Sequence, residues 1–210
     1  MSADTVFSIL NIFGLFVFAA SGALTALRND LDVFGVAMIS FVTSVGGGTI
    51  RDVLVGSFPV WWIEDASAIP ICLAGAAVAI LAQPILTSRL KALIWADALG
   101  LSVFAILGAK AALAADAPAL IAIFMGGVTA TFGGVVRDVL LNEPPLILKQ
   151  DIYATAAMLG AGSYVLLLHV GLSDALAAPV AAILTFTVRA AAIQLNIPSP
   201  KFGRPRKAEL

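Results

Sequence analysis

The sequence predicts an all-α integral membrane protein of seven transmembrane helices, six of them forming two inverted three-helix repeats and the seventh standing alone. Three observations carry this expectation. The chain is 60% hydrophobic and only 12% charged, with a mean hydropathy of +1.03, whereas a soluble domain carries about 25% charged residues. Its apolar residues fall into segments of roughly 20, the length a helix needs to cross a hydrocarbon core of about 30 Å. The chain also aligns on itself, without gaps, at an offset of 86 residues.

The apolar segments run over residues 6–27, 33–55, 68–86, 93–115, 118–141, 152–170 and 175–195, with short polar breaks between them. The first is longer than the 7–15-residue apolar stretch of a secretory leader and has no basic residues before it, so it reads as a span. Residues 198–210 are polar and hold Pro198, Pro200 and Pro205, the composition of a flexible end. The organisation that follows is a first three-helix repeat over 1–92, a second, inverted one over 93–171, a seventh helix over 172–197 and a cytoplasmic tail over 198–210.

The repeat rests on specific residues. The offset of 86 places Arg51-Asp52-Val53-Leu54 on Arg137-Asp138-Val139-Leu140, Gly47-Gly48 on Gly133-Gly134, Thr43 on Thr129 and Pro59 on Pro145. Upstream it pairs Gly14-Leu15 with Gly100-Leu101, Val17-Phe18-Ala19 with Val103-Phe104-Ala105 and Gly22-Ala23 with Gly108-Ala109, for 19 identities in 46 positions between Gly14 and Pro59. Apolar composition alone produces chance matches, but not a shared GG-x-x-RDVL at one offset. Each unit holds three spans, an odd number, so the second must enter the bilayer the other way up, an architecture associated with pathways across membranes.

Charge sets the expected orientation. The loops after spans 1, 3 and 5 and the C-terminus carry Arg28, Arg89, Lys91, Lys149, Lys201, Arg204, Arg206 and Lys207, and the opposite side carries no Lys or Arg. The positive-inside rule places the N-terminus outside and the C-terminus in the cytoplasm of a cell inner membrane. Trp61 and Trp62 are expected at the outer interface and Trp95 at the inner one, where amphipathic rings prefer to sit. A net charge of −1 gives no basic field for nucleic acid. Cys72 and His169 are each single, which leaves no disulfide, His-based metal site or Ser/His/Asp triad to expect. Nothing points to an enzyme or a bound cofactor.

Chemistry is expected where spans 2 and 5 are interrupted. Span 2 contains Gly46-Gly47-Gly48, and span 5 contains Gly133-Gly134 with Gly126-Gly127 earlier. Adjacent glycines loosen a helix and free carbonyls, and matching breaks in two halves point to a permeation site. The competing reading is that they permit close helix packing. Arg51, Asp52, Arg137 and Asp138 follow the breaks; an ionisable group in a span normally faces a cavity or a partner. Neighbours on a helix point about 100° apart, so carbonyls at the breaks or polar groups on other helices are expected as partners in preference to the adjacent aspartate. Arg51 falls toward the outer end of its span and Arg137 toward the inner end of its own, two constrictions at opposite faces. Alternatively both arginines snorkel to the headgroups and the aspartates cap loops. Lys110 lies deep in span 4 without an acid nearby in its own span, placed either as a mobile, voltage-sensitive gate or as an outward snorkeler. Arg189 in span 7 is expected to snorkel. Thr43, Thr129, Ser44 and Thr131 either line a polar path or bond back to their own helices.

These features resemble the trimeric intracellular cation (TRIC) channel family in its prokaryotic branch. The residues carrying the resemblance are Gly47-Gly48-Thr49-Ile50-Arg51-Asp52, Gly133-Gly134-Val135-Val136-Arg137-Asp138-Val139-Leu140 and the Glu143-Pro144-Pro145 that follows, and it extends over about residues 5–195. It implies a homotrimer in membrane lipid with one pore per subunit, passing monovalent cations, chiefly K+ and also Na+, between spans bent at the glycines. Lys110 sits on the span where animal relatives carry a lysine linked to voltage gating. Some bacterial relatives are described as small-solute transporters for glycine-like zwitterions, so a facilitator stands beside the channel as a second reading, and a packed membrane scaffold as a third.

Overall fold

In the computed structural model the described residues are 2–85, 88–149 and 152–195, and their regular structure is entirely helical. The predicted tail over 198–210 lies outside these residues, as does the predicted end of span 3 at Leu86. The helices are α1 (Ala3–Arg28), α2 (Val33–Val55), α3 (Trp61–Glu64), α4 (Ala68–Ala82), α5 (Arg89–Ala114), α6 (Ala119–Leu140), α7 (Leu146–Lys149), α8 (Ala154–His169) and α9 (Asp174–Leu195). Each predicted apolar segment thus contains a helix, although α4 ends at Ala82, short of the predicted end of span 3. Five of these helices, α1, α2, α5, α6 and α9, are long and apolar enough to cross a membrane; α4 and α8 are apolar but shorter.

Local chemistry sets the helix ends. Ser2 caps α1 by accepting from the Thr5 N–H at 3.3 Å, Asp32 caps α2 by accepting from the Gly35 N–H at 2.8 Å, and Ser88 caps α5 by accepting from the Lys91 N–H at 3.3 Å. α2 stops at Gly56, which takes the left-handed conformation at φ 74°, and α6 stops just before Asn142 at φ 54°. These two positions are related by the 86-residue offset, as are Asp30 and Asp116, which turn the chain after α1 and α5 at φ 53° and 57°.

Between helices in a bilayer there is little hydrophobic driving force, so close packing by small residues takes its place. The core follows this rule: Ala19, Ala23, Ala105, Ala109, Ala130, Ala157, Ala161 and Ala181 are all fully buried. α1 and α5 meet at its centre, where the equivalent residues Phe18 and Phe104 stack with ring centroids 5.1 Å apart. α2 packs on α1 and α6; α4 packs on α1 and α2; α8 packs on α5 and α6; α9 packs on α8 and α5. Large apolar side chains instead cover the outside, Val33, Leu81 and Leu120 being 77%, 74% and 76% exposed. That distribution suits lipid, and the protein is a multi-pass membrane protein.

Candidate functional site

The centre of the site is a crossing of α2 and α6 through their glycines. A Cβ placed on Gly47 would collide with the Thr129 carbonyl oxygen, and one on Gly133 would collide with the Thr43 carbonyl oxygen. A Cβ on Gly46 would lie 3.6 Å from the Gly133 Cα. Only glycine lets the two backbones touch in this way. The helix breaks expected at these glycines are not there: α2 and α6 remain α-helical from end to end. The missing side chains serve helix approach instead.

Thr43 and Thr129 sit at the same crossing. Each hydroxyl donates to its own helix, Thr43 to the Ile39 carbonyl at 2.6 Å and Thr129 to the Met125 carbonyl at 2.7 Å. Gly22 on α1 makes room for the Thr43 hydroxyl, and Gly108 on α5 makes room for that of Thr129. Ser44 donates to the Leu15 and Ser40 carbonyls at 3.0 Å each, and Thr131 to the Gly127 carbonyl at 2.8 Å.

One turn beyond each crossing stands a buried arginine. Contrary to expectation, each pairs with the adjacent aspartate, although Arg137 also finds the expected polar groups on other helices, Ser21 and Asp97. Arg51 donates from Nε and Nη2 to Asp52 Oδ1 at 2.9 and 2.6 Å, and Arg137 donates from Nε to Asp138 Oδ1 at 2.8 Å. The 100° between neighbouring positions is bridged because the arginine stem is long enough to bend around its own helix. The chain leaving each helix then holds the aspartate in place. Asp52 Oδ2 accepts the Trp61 N–H, and Asp138 Oδ2 accepts the Leu146 N–H, each at 2.9 Å. The short helices α3 and α7 thus begin on these carboxylates. Neither arginine snorkels, since Arg51 is 7% exposed and Arg137 not at all.

The surroundings of the two pairs differ. Arg51 borders a cavity of about 170 Å³ lined also by Asn11, Ser44, Gly48, Trp61, Phe104, Leu107 and Thr129. Arg137 instead reaches other helices: it donates from Nη1 to Ser21 Oγ at 2.7 Å and to Asp97 Oδ1 at 3.1 Å. A charge this deep is tolerable only with partners, and two carboxylates flank it. Gly134 abuts this cluster: a Cβ there would lie 3.3 Å from Tyr153 OH and 3.4 Å from Arg137 Nη2.

Lys110 lies one turn beyond Leu107 on α5. It forms an ion pair with Asp174 Oδ2 on α9 at 3.2 Å, and its ammonium sits 3.2 Å from the centroid of the Phe7 ring. Tyr164 donates to the other oxygen of Asp174 at 2.6 Å. Arg189, expected to snorkel, is 3% exposed; it donates to the Ile152 carbonyl at 2.9 Å and stacks 5.1 Å from the Tyr153 ring centroid. The Trp61 ring packs on Gly48, and Trp62 Nε1 donates to Thr49 Oγ1 at 2.9 Å.

The structure thus gathers Gly48, Arg51, Thr129 and Ser44 around one cavity, and Gly134, Arg137 and Asp138 in a second cluster. Lys110 stands apart from both with a partner of its own. Asp97, Ser21, Asn11, Tyr153, Asp174 and Tyr164 belong to these arrangements and were not singled out by sequence reasoning. Asp97 had a legible signal, being an acid inside span 4; Ser21 and Asn11 had none before the helices were placed.

Fold and site define a multi-pass helical membrane protein with a doubled, charge-bearing helix crossing at its centre. A family model described as "Glycine transporter" matches residues 8–84 and again 94–169. A solved structure of the TRIC trimeric intracellular cation channel orthologue from Rhodobacter sphaeroides is 44% identical, with 92% of this chain and 100% of that one covered at a TM-score of 0.88. A prokaryotic TRIC channel solved in 0.5 M KCl is 31% identical, with 91% of this chain and 98% of that one covered at a TM-score of 0.85. A UPF0126 membrane protein of Vibrio cholerae is 39% identical over 200 residues, 93% of this chain and 82% of the relative. The UPF0126 inner membrane protein YadS of Escherichia coli K12 is 36% identical over 202 residues, 92% and 95% of the two chains. The chain belongs to the TRIC channel family, in its prokaryotic branch. The relatives named here are described as membrane proteins and channels, not as enzymes.

Proposed function

We propose that this protein is a monovalent cation channel, permeable to K+ and also to Na+, with one pore in each subunit of a homotrimer. The observation that carries the reading is the doubled site: two helices crossing at Gly47 and Gly133, each followed one turn later by a buried arginine–aspartate pair. The likeness to TRIC channels supports the same reading.

The path runs beside the contact of α2 and α6, with Gly47, Gly48, Thr43, Gly133, Gly134 and Thr129 around its centre. Arg51 and Arg137 obstruct it at opposite ends, held by Asp52 and Asp138. A positive charge fixed in the path repels a permeant cation, so the resting pore is closed, and conduction requires a guanidinium to move aside together with or away from its aspartate. Lys110, paired with Asp174, is a third basic element and the one that the membrane field moves.

The topology belongs to the same proposal: seven spans, residues 1–92 and 93–171 as inverted repeats, 172–197 as a seventh helix, the N-terminus outside and the C-terminus in the cytoplasm. The matched left-handed turns at Asp30 and Asp116 and the reciprocal Gly47–Thr129 and Gly133–Thr43 contacts support the repeat. The inner membrane is the proposed location, in keeping with the Escherichia coli relative.

Single-channel recording from purified protein in planar bilayers tests the function. The expected result is K+ current that persists in NaCl, disappears when a large organic cation replaces K+, and changes in open probability on Arg51→Ala or Arg137→Ala. Correctly folded protein that stays silent, yet takes up glycine saturably and with counterflow in proteoliposomes, overturns the channel in favour of a zwitterion facilitator.

A further inference from the structure

We infer that the two arginine ends are unequal gates, and that Asp97 is the positioning residue that locks one of them. The inference rests on the channel reading above and goes beyond it by assigning closure to the Arg137 end.

The inequality lies in what each guanidinium touches beyond its own aspartate. Arg137 reaches Ser21 on α1 at 2.7 Å and Asp97 on α5 at 3.1 Å, and it is wholly buried. The 86-residue offset places Asn11 at the position equivalent to Asp97 and Leu107 at that equivalent to Ser21. Asn11 and Leu107 both line the cavity beside Arg51. Among the described residues neither donates to or accepts from Arg51, whose side-chain partner is Asp52 alone. The same geometric frame therefore carries a carboxylate and a hydroxyl at one end and an uncharged amide and a hydrocarbon at the other.

This difference has a mechanical consequence. Asp52 is the neighbour of Arg51 on the same helix, so Arg51 can swing into the adjoining cavity without breaking a tie to another helix. Arg137 must release α1 and α5 together before it can leave the path. Removing one partner of a buried charge pair is costly, so the Arg137 end holds the greater barrier.

A second feature of the cluster agrees with a lock that opens and does not merely brace. Buried polar atoms are nearly always satisfied, yet Asp97 Oδ2, Arg137 Nη2, Tyr153 OH and Arg189 Nε have no partner among the described residues. Gly134 keeps the space beside them free of a side chain: a Cβ there would lie 3.5 Å from Asp97 Oδ1 and 3.3 Å from Tyr153 OH. Tyr153 and Arg189 both lie close enough to Asp97 to interact with it, so its carboxylate is not stranded when Arg137 departs.

The experiment uses the full-length protein in planar bilayers with symmetric KCl, each variant first checked for monodisperse elution. Asp97→Asn, close in shape to the native residue, is expected to raise open probability roughly ten-fold, the scale of one charge-assisted hydrogen bond, at unchanged unitary conductance. Asn11→Asp builds at Arg51 the carboxylate that Arg137 already has, and it is expected to lower open probability by a similar factor. If Asp97→Asn does not fold, Asn11→Asp and Ser21→Ala carry the test, Ser21→Ala being expected to open the channel. A silent wild type overturns the channel reading itself. A conducting wild type with folded Asn11→Asp and Ser21→Ala proteins at wild-type open probability overturns the lock alone, as does an Asp97→Asn protein that gates normally.

Discussion

Placing a methyl group at Gly47 perturbs the structure where its two halves touch. In Gly47→Ala the new Cβ collides with the Thr129 carbonyl oxygen and lies 3.0 Å from the Thr129 carbonyl carbon and 3.3 Å from the Gly133 nitrogen. All three atoms are backbone of α6, so no rotamer change relieves the contact and the helices must separate. Overpacking costs about 1–3 kcal/mol, and a clash against backbone belongs at the upper end. Replacing glycine by alanine inside a helix returns about 1 kcal/mol, leaving a net loss of about 2 kcal/mol. For a chain of this size that lowers Tm by roughly 4–8 °C. Gly133→Ala meets Thr43 in the same way and is expected to cost the same. The double variant should lose less than the sum, by about 1 kcal/mol, because helices already parted accommodate the second methyl at lower cost. Gly162→Ala is the control: its nearest neighbour is Ile123 Cδ1 at 3.9 Å, so only the propensity gain remains. Melting of detergent-solubilised protein, followed by tryptophan fluorescence, measures all four variants. A Gly47→Ala protein that melts no lower than wild type, or a double variant that is fully additive, refutes the reasoning.

Other substitutions probe the surrounding contacts. The Lys110–Asp174 side chains are about a third exposed (32% and 36%), so Lys110→Met should cost under about 1 kcal/mol and shift Tm by less than roughly 4 °C; a collapse of the fold would contradict a half-solvated pair. Arg189→Ala strips the donor from the Ile152 carbonyl and the stack on Tyr153, and should lower Tm by more than Arg189→Lys, which keeps the charge. Cys72 is 1% exposed on α4, so maleimide should leave it unmodified in folded protein and label it once SDS unfolds the chain. Rapid labelling of the folded protein would place α4 elsewhere.

Much of the fold was legible because a bilayer enforces a simple rule: long apolar runs become helices. The second segment, residues 33–55, coincides with α2, since Asp32 caps its start and Gly56 ends it, both being strong local signals. The glycine doublets marked the right place, the crossing of α2 and α6, but neither helix is interrupted there. Whether adjacent glycines bend a helix or admit a neighbour depends on what lies across from them, here the Thr129 and Thr43 carbonyls. The Arg51–Asp52 pairing was hidden for a related reason: helical angles predict where Cβ atoms point, not how far a long side chain curls. The short helices α3 and α7 were unreadable, because each begins where a backbone N–H reaches an aspartate on the preceding helix. Asp97 was readable as an intramembrane acid and was passed over, although its partner Arg137 is distant in sequence and found only by folding.

The central claim is that the path beside the α2–α6 contact conducts cations, and the reversal potential of single-channel currents under a tenfold KCl gradient tests it most directly. A cation-selective pore predicts a reversal approaching about 59 mV in magnitude, the value for a tenfold ratio of a monovalent species, with the sign set by K+. A reversal near zero, a reversal of chloride sign, or folded protein that passes no current would contradict it.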